Sequence, residues 1–216
     1  MAYRQTPAVE ARLQDTRTRI LQAARTLVSE GGWKEAQVAN VAAAAGIATG
    51  TVYRYFASKA ELFVEVLSAV SQREVDVLTE IAMSDGSATV RLHSAVRTFV
   101  RRAMRNPRLA YALIAEPCDK EIDEARLAYR ASISEAVRSI ITAGQSAEEM
   151  RLDVQPDIAA SVIVGGFMEG LIGPLSPLNR QQHHETDTYQ HEVAMLADQI
   201  AKLACTSVAV SPVTVQ

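Results

Sequence analysis

Apolar residues recur along this chain at the spacing of an α-helix, and no stretch shows the alternation that a half-buried β-strand requires. The first apolar face ends at Gly31-Gly32, and Ser58, with Glu61 at the capping-box position, begins a long helix. The pattern therefore predicts an all-α fold of about nine helices. Beyond the first helix and the one from Ser58, they are expected at about 37–44, 48–56, 88–105, 107–115, 119–146, 156–173 and 185–205.

Charge is distributed unevenly between the beginning of the chain and the rest. The net charge is −3, yet residues 1–60 hold eight basic and four acidic side chains, against 14 basic and 21 acidic ones in the remainder. A basic head on an acidic body is typical of a protein that presents one end to phosphate groups.

Residues 38–57 have the residue types that a helix-turn-helix requires. Ala42 is small where the two helices must approach, and Gly46 stands at the turn, where a positive φ is expected and glycine adopts it without strain. The apolar contacts that lock the two helices together are expected from Val38, Val41, Ile47 and Val52.

The same segment carries a longer pattern, which reads Val41-Ala42-x-x-Ala45-Gly46-Ile47-x-x-Gly50-Thr51-Val52-Tyr53-x-Tyr55-Phe56-x-Ser58-Lys59-x-x-Leu62. Together with Ile20-Leu21-x-Ala23-Ala24 and Gly32-Trp33, it resembles the TetR family of transcriptional regulators over roughly residues 17–63. The resemblance implies a homodimeric DNA-binding repressor of a palindromic operator. It implies an N-terminal three-helix DNA-binding domain at 1–57 and a C-terminal ligand-binding and dimerisation domain at 58–206. We expect residues 207–216 to be a disordered tail.

Eight residues are the candidate contacts to double-stranded DNA. Thr49, Gly50, Tyr53 and Arg54 lie on the first turns of the predicted recognition helix, where Arg54 could pair with guanine and Tyr53 could contact bases or thymine methyls. By the resemblance, Thr51, Tyr55 and Lys59 would contact phosphates, and Gln37 could donate one more bond. The alternative for Tyr53 and Tyr55 is packing within the small domain, and for Lys59 a solvated helix start.

Three positions depart from the family pattern. Ala36 and Gln37 stand where the family usually has threonines, and Ala48 stands where a serine usually caps the recognition helix. Each missing side-chain cap typically costs about 1 kcal/mol, so we expect a somewhat loose head in the absence of DNA. Arg17 and Arg19 are interpreted as a solvated helix face, in preference to contacts with the minor groove.

The dimer interface is predicted at the helices of 156–173 and 185–205. Gly166-x-x-x-Gly170 allows close helix approach, and the second helix carries Val193, Leu196, Ile200 and Leu203 at helical spacing. The alternative is a core helix of a monomer. The apolar run 158–175 approaches the length of a membrane span, but its Glu169 and its glycines favour an interface helix and no membrane.

The effector is predicted to be small and mostly apolar, and to bind among the middle helices of the body. Its candidate lining is Leu67, Phe99, Met104, Tyr111, Ile114, Tyr129 and Phe167, each of which could instead be plain core. Its binding would favour a spacing of the two heads that no longer matches the operator.

Enzyme function and cofactors are not expected, because the chain has no Gly-rich phosphate loop, GxSxG elbow or HExxH motif. Cys118 and Cys205 are expected to be reduced thiols of a cytoplasmic protein. His183, Asp187 and His191 have metal-compatible spacing but fall at a loop-to-helix junction, so no metal site is predicted. Two other functions stay open: a helical ligand-binding adaptor that does not bind DNA, and an activator in place of a repressor.

Overall fold

The computed structural model describes residues 7–179 and 187–210. These residues form nine α-helices, a short 3-10 turn at Pro177–Asn179 and no β-strand. The prediction of an all-α fold with about nine helices is therefore confirmed. The helices are α1 (Pro7–Gly31), α2 (Val38–Ala45), α3 (Thr49–Val52), α4 (Lys59–Ala82), α5 (Ala88–Ala103), α6 (Pro107–Ile114), α7 (Lys120–Ser146), α8 (Pro156–Leu175) and α9 (Asp187–Val208).

The start of α4 has the capping arrangement that its sequence predicts. The Ser58 hydroxyl accepts a hydrogen bond from the amide of Glu61 at 3.0 Å, and the Glu61 carboxylate accepts one from the amide of Ala57 at 2.6 Å. These bonds satisfy amides that the first turn of a helix leaves without partners. The start of this long helix is thus fixed just after the residues of the helix-turn-helix.

The recognition helix is shorter than predicted. Regular α-helix covers only Thr49–Val52, and the chain then continues in a tight turn in which the amides of Arg54 and Tyr55 bond to the carbonyls of Thr51 and Val52. This turn buries Phe56 against the head while the chain changes direction toward Ser58. The predicted end at residue 56 therefore belongs to the turn.

Buried residues form two clusters, and the first joins α1, α2 and α3 to the beginning of α4. It also takes in Leu109 and Ala112 of α6 and Ile122 of α7. Trp33 lies at this junction, packed edge-on against Phe63 with 5.8 Å between ring centroids. We call α1–α3 the head, the remaining helices the body, and the two groups of buried residues the head cluster and the body cluster. The head is thus packed directly on body helices.

The second cluster lies within the body, where α4 packs on α7, α5 on α9, and α7 on α8. One face of α8 enters this cluster through residues such as Ile163, Phe167 and Leu171. The helix has the length and apolar composition of a membrane span, with a mean hydropathy of 1.7, and 39% of that window is buried. Core helices of globular proteins pass the same test, and the burial of one face of α8 is what a core helix shows.

The chain remains ordered beyond residue 207, where the sequence predicts a disordered tail. Val208 ends α9 with its side chain buried, and the amide of Arg151 donates to its carbonyl at 3.0 Å. Ala209 forms an isolated antiparallel bridge with Met150. The tail prediction is corrected for 207–210, since these contacts hold that segment on the body. Residues 211–216, and His183 of the metal hypothesis, lie outside the described residues.

Candidate nucleic-acid interface and ligand cavity

The turn between α2 and α3 has the conformation that its glycine predicts. Gly46 has φ of 67°, in the left-handed region, and its amide bonds to carbonyls at the end of α2. The amide of Ile47 donates to the carbonyl of Ala42 at 3.0 Å. Val41 and Val52, on either side of the turn, are buried. The turn and its apolar contacts therefore hold α3 at a fixed angle to α2.

Four of the eight predicted DNA contacts lie together on the outer side of the α3 segment. Thr49, Gly50, Tyr53 and Arg54 are all exposed, and the Tyr53 side chain is 51% exposed. Within the described residues, the side chains of Tyr53 and Arg54 have no hydrogen bond or ion pair. A Cβ placed on Gly50 would meet no atom within 4 Å. This surface is open, and its polar groups are available to a ligand.

The other four predicted contacts are distributed around that surface. Thr51 is half-buried, and Tyr55 packs partly against the head cluster. Gln37 precedes α2 and donates its side-chain amide to the carbonyl of Lys34 at 2.8 Å. The Lys59 ammonium lies 3.7 Å from the carboxylate of Asp119, at the start of α7. Gln37 and Lys59 line a second, small cavity of about 180 Å³ at the junction of head and body.

Arg17 and Arg19 make contacts with other helices that the interpretation of a solvated helix face did not include, although Arg19 is exposed. Arg17 makes a bidentate pair with Glu65 of α4, and its guanidinium carbon lies 5.0 Å from the centre of the Phe56 ring. Arg19 donates to the carbonyl of Ala45 at the end of α2. Arg17 therefore connects α1 to α4, the first helix of the body, and Arg19 connects α1 to α2 within the head. The sequence gives no indication of these partners, because they are far away along the chain.

The larger cavity has a volume of about 370 Å³ and is lined by residues of α1 and of α4 to α8. Its buried wall is apolar and includes Phe99, Ile114 and Met168. Six arginines and one glutamate also line it. The glutamate, Glu74, pairs with Arg102 through bonds of 2.6 and 2.8 Å. The arginines are Arg25, Arg73, Arg102, Arg105, Arg126 and Arg130.

Three of the seven predicted lining residues border this cavity: Phe99, Ile114 and Tyr129. The other four lie outside its lining. Leu67 is buried in the head cluster, Met104 and Phe167 are buried in the body cluster, and Tyr111 packs against that cluster. The Phe167 ring stands directly behind Phe99, with 4.7 Å between centroids. An apolar lining predicted from hydrophobicity alone thus includes residues of the supporting core.

The arginines of the cavity were not predicted from the sequence. One signal was available, since Arg126 and Arg130 are four residues apart and Tyr129 and Ile133 complete the same stripe of α7. Ile133 of this stripe is buried, so the stripe faces inward. Charged residues at core-facing helical positions are rare unless they are paired, and they therefore point to a polar site.

A buried ion pair joins α6 to the head. The Arg108 guanidinium donates to the Glu116 carboxylate at 2.9 and 2.7 Å and to the carbonyl of Gly31, the last residue of α1, at 2.6 Å. Glu116 also accepts a bond from the amide of Trp33. Gly32 has φ of 77°, and a Cβ on it would collide with the Arg108 guanidinium. This junction therefore requires both the ion pair and the glycine.

The two thiols have raised pKa values. Burial raises the pKa of Cys205 to about 11. Burial also raises the pKa of Cys118, although the charge of Arg126 opposes that effect. Both side chains are free cysteines. Because the thiolate is the nucleophile, neither thiol is activated at neutral pH.

Comparison with known proteins matches residues 20–66 to the model described as bacterial regulatory proteins, tetR family. The HTH-type transcriptional repressor KstR of Mycolicibacterium smegmatis is 38% identical over 101 residues, which cover 46% of this chain and 49% of that protein. The chain therefore spans about half of the length of this relative. Two solved structures, both named FadR, resemble the whole fold. The one from Bacillus halodurans has a TM-score of 0.74 at 18% identity, covering 94% of this chain and 97% of that one. The one from Bacillus subtilis, in complex with stearoyl-CoA, has a TM-score of 0.74 at 19% identity, covering 88% and 97%.

The exposed α3 surface on a small helical head, joined to an all-α body with a cavity, defines the class of helix-turn-helix regulators. The family match runs from the middle of α1 into α4, and the similar structures share the fold of the head and the body. Residues 20–66 therefore resemble bacterial regulatory proteins of the tetR family, and the chain as a whole has the fold of the similar structures.

Proposed function

We propose that this protein is a transcriptional repressor that binds a palindromic operator in double-stranded DNA as a homodimer and is released by a small-molecule effector. The observation that carries the proposal is the exposed pair Tyr53 and Arg54, which have no partner in the described residues and directly follow α3. Arg54 would pair with a guanine in the major groove, and Tyr53 would contact a base or a thymine methyl. Thr51, Tyr55, Lys59 and Gln37 would position the helix through phosphates.

Lys59 can bind a DNA phosphate in spite of its contact with Asp119. The two groups are 3.7 Å apart, and about half of the Asp119 side chain is exposed. Exposed pairs of this kind contribute little to stability, so a phosphate could replace the carboxylate at small cost. The relatives support the same function, because KstR is described as a transcriptional repressor.

A homodimer is proposed through α8 and α9. The outward side of α8 exposes Ile158 and Val162, at 61% and 64%, and a Cβ on Gly165 or Gly166 would meet no atom within 4 Å. On α9, Leu203 is 72% exposed, whereas Val193 is buried within its own body. An apolar surface with small residues supports close packing of helices from a second copy. The two heads would then engage half-sites about 34–36 Å apart.

The body cavity is the proposed effector site. The FadR structure from Bacillus subtilis contains stearoyl-CoA, which supports a small-molecule ligand in a protein of this fold. The α6 helix borders the cavity through Leu109, Leu113 and Ile114, and it also carries Arg108 of the junction with the head. A ligand that displaces α6 would therefore shift the population toward a head spacing that does not fit the operator.

DNA binding is tested with the fragment immediately upstream of the protein's own gene, by electrophoretic mobility shift at several salt concentrations. Tyr53→Ala and Arg54→Ala should each weaken binding about tenfold or more, and affinity should fall steeply with salt. Arg101→Ala is the matched control, since Arg101 is an exposed arginine of α5 without an ion pair in the described residues. Binding that is indifferent to Tyr53 and Arg54 contradicts the proposed interface.

The sign of regulation is tested separately, with a reporter gene behind the bound fragment. Deletion of the regulator should raise expression if the protein is a repressor. A fall in expression would identify an activator. If no fragment is selected from the whole genome, the DNA-binding function itself is wrong and the adaptor alternative gains support.

A further inference from the structure

The strongest unexplained feature of the body is the Arg130 side chain in the wall of the large cavity. Among the described residues, its buried Nε has no hydrogen-bond partner, and its one bond, from Nη2 to the carbonyl of Ile114, is long at 3.4 Å. No carboxylate of the described residues pairs with it. A partly buried guanidinium with an unused donor and no counter-ion is unfavourable unless a ligand supplies the missing hydrogen-bond acceptor and negative charge.

Arg126 repeats this pattern one helical turn earlier. Its Nε is also buried without a partner in the described residues, although its terminal nitrogens bond to Asp123, to the Cys118 sulfur and to the carbonyls of Ala112 and Glu116. In the described part of the chain, three buried side-chain nitrogens lack a partner, and two of them belong to Arg126 and Arg130. Both arginines line the same cavity and lie on one face of α7.

The remaining charges around the cavity reinforce its positive potential. Arg25, Arg73 and Arg105 are exposed and have no ion pair among the described residues, and the one lining carboxylate, Glu74, is engaged by Arg102. The rest of the wall is apolar, with Phe99, Ile133 and Met168 buried. One cavity therefore offers an apolar wall together with an excess of uncompensated guanidinium groups.

We propose that Arg130, assisted by Arg126, binds the anionic group of an amphipathic effector whose apolar chain lies against Phe99, Ile133 and Met168. The inference rests on the proposed function, because it assigns the chemistry of the effector of that same cavity. A carboxylate and a phosphate are both suited to guanidinium donors, so the effector carries one of these two anions on an apolar chain. The effector therefore differs from the mostly apolar molecule that the sequence predicts.

The test measures binding of four probes with the same twelve-carbon chain by isothermal titration calorimetry: dodecanoate, dodecyl phosphate, lauroyl-CoA and 1-dodecanol. At least one anionic probe should bind about tenfold or more tightly than the alcohol, as expected for a charge-assisted hydrogen bond. Dodecanoate binding more tightly than lauroyl-CoA assigns the anion to a carboxylate, and the reverse order assigns it to phosphates. Equal affinity for the alcohol and all three anions overturns the proposal.

The Arg130→Met variant tests the residue itself. It should abolish most of the preference for the anion, leaving the affinity for 1-dodecanol within about twofold, because only one charge-assisted contact is removed. Arg101→Met, an exposed arginine of the body that does not line the cavity, should leave all four affinities unchanged. A preference for anions that persists in Arg130→Met overturns the assignment.

Two further measurements keep the outcome interpretable. Thermal unfolding without ligand should show Arg130→Met to be no less stable than the unmodified protein, because the lost charge has no counter-ion. Should that variant fail to fold, Arg130→Gln removes the same charge with a polar side chain and takes its place. Operator binding by the unmodified protein is measured in parallel: its absence counts against the proposed function, whereas operator binding without anion preference counts against this inference alone.

Discussion

Gly50 is the residue of the α3 surface whose role can be separated most cleanly from folding. A Cβ on it would meet no atom within 4 Å, and the residue lies inside a short helix. We expect Gly50→Ala to stabilise the protein by up to about 1 kcal/mol, since alanine is the better helix former. The same methyl group should weaken operator binding about tenfold or more, because it separates the backbone from the groove. Urea unfolding and mobility shift measure the two effects, and unchanged DNA affinity would show that α3 does not approach DNA closely at this residue.

Ala48 precedes α3 in an extended conformation, with φ of −72° and ψ of 145°, and provides no side-chain cap. Ala48→Ser supplies a hydroxyl that can accept a bond from the first amides of α3. We expect this substitution to raise the stability of the DNA-free protein by about 1 kcal/mol, measured as a higher midpoint of thermal unfolding. Ala48→Val adds bulk without a cap and serves as the control. A drop or no change in Ala48→Ser would show that the start of α3 is not limited by capping.

At the scale of single residues, the roles that depend on local backbone geometry could be predicted from the sequence. Gly46 and Ser58 act through their own backbone or through amides three residues away, so their roles follow from the local pattern. Arg130 and Arg108 could not be predicted in the same way, because their surroundings come from helices distant in sequence. The exposure of Tyr53 and Arg54 also depends on where the body leaves the head uncovered.

The α6 helix connects the cavity to the head, and the ion pair between its Arg108 and Glu116 can be broken selectively. The two side chains are only 10% and 16% exposed, so removing one partner leaves a charge poorly solvated. We expect Arg108→Met to lower the free energy of unfolding by about 3 kcal/mol, as is typical of a broken buried pair. The double variant Arg108→Met/Glu116→Leu should recover a large part of that loss, because it leaves no unpaired charge. Both are measured by urea unfolding.

The same variants test the coupling between the cavity and the head. The double variant should still bind the operator but respond less to ligand, since the Arg108 bond to the carbonyl of Gly31 is absent. Lys120→Met is the control, because the Lys120–Glu124 pair lies on the exposed surface of α7 and should not matter for either property. An undiminished ligand response in the double variant would place the coupling elsewhere, for example in the packing of α4 on α7.

At the scale of elements, most helix positions could be predicted because caps, prolines and apolar spacing are local signals. α6 begins at Pro107 and α8 at Pro156, as predicted. The exception is α3, where apolar spacing continues through Phe56 while the backbone has already left the helix. There, the burial of Phe56 within the head determines the turn, and such a tertiary effect is not visible in helical periodicity.

For the whole molecule, the outward side of α8 is the surface through which we propose that the homodimer forms. Val162 is 64% exposed in the middle of this surface, with the exposed Gly165 and Gly166 following it. We expect Val162→Glu to raise the dissociation constant of the dimer about 30-fold or more, equivalent to about 2 kcal/mol, because a two-fold axis places the new charge in the interface twice. Sedimentation velocity over a range of concentrations measures this change.

The matched control is Met83→Glu, which places the same charge on an apolar residue that is 81% exposed at the end of α4. This control should remain dimeric and bind the operator normally. Val162→Glu should lose operator affinity in parallel with dimerisation, because one head contacts only one half-site. Dimers that persist in Val162→Glu would exclude the α8 surface from the interface. Monomers that still bind the full operator tightly would show that the two heads do not need to be joined through the body.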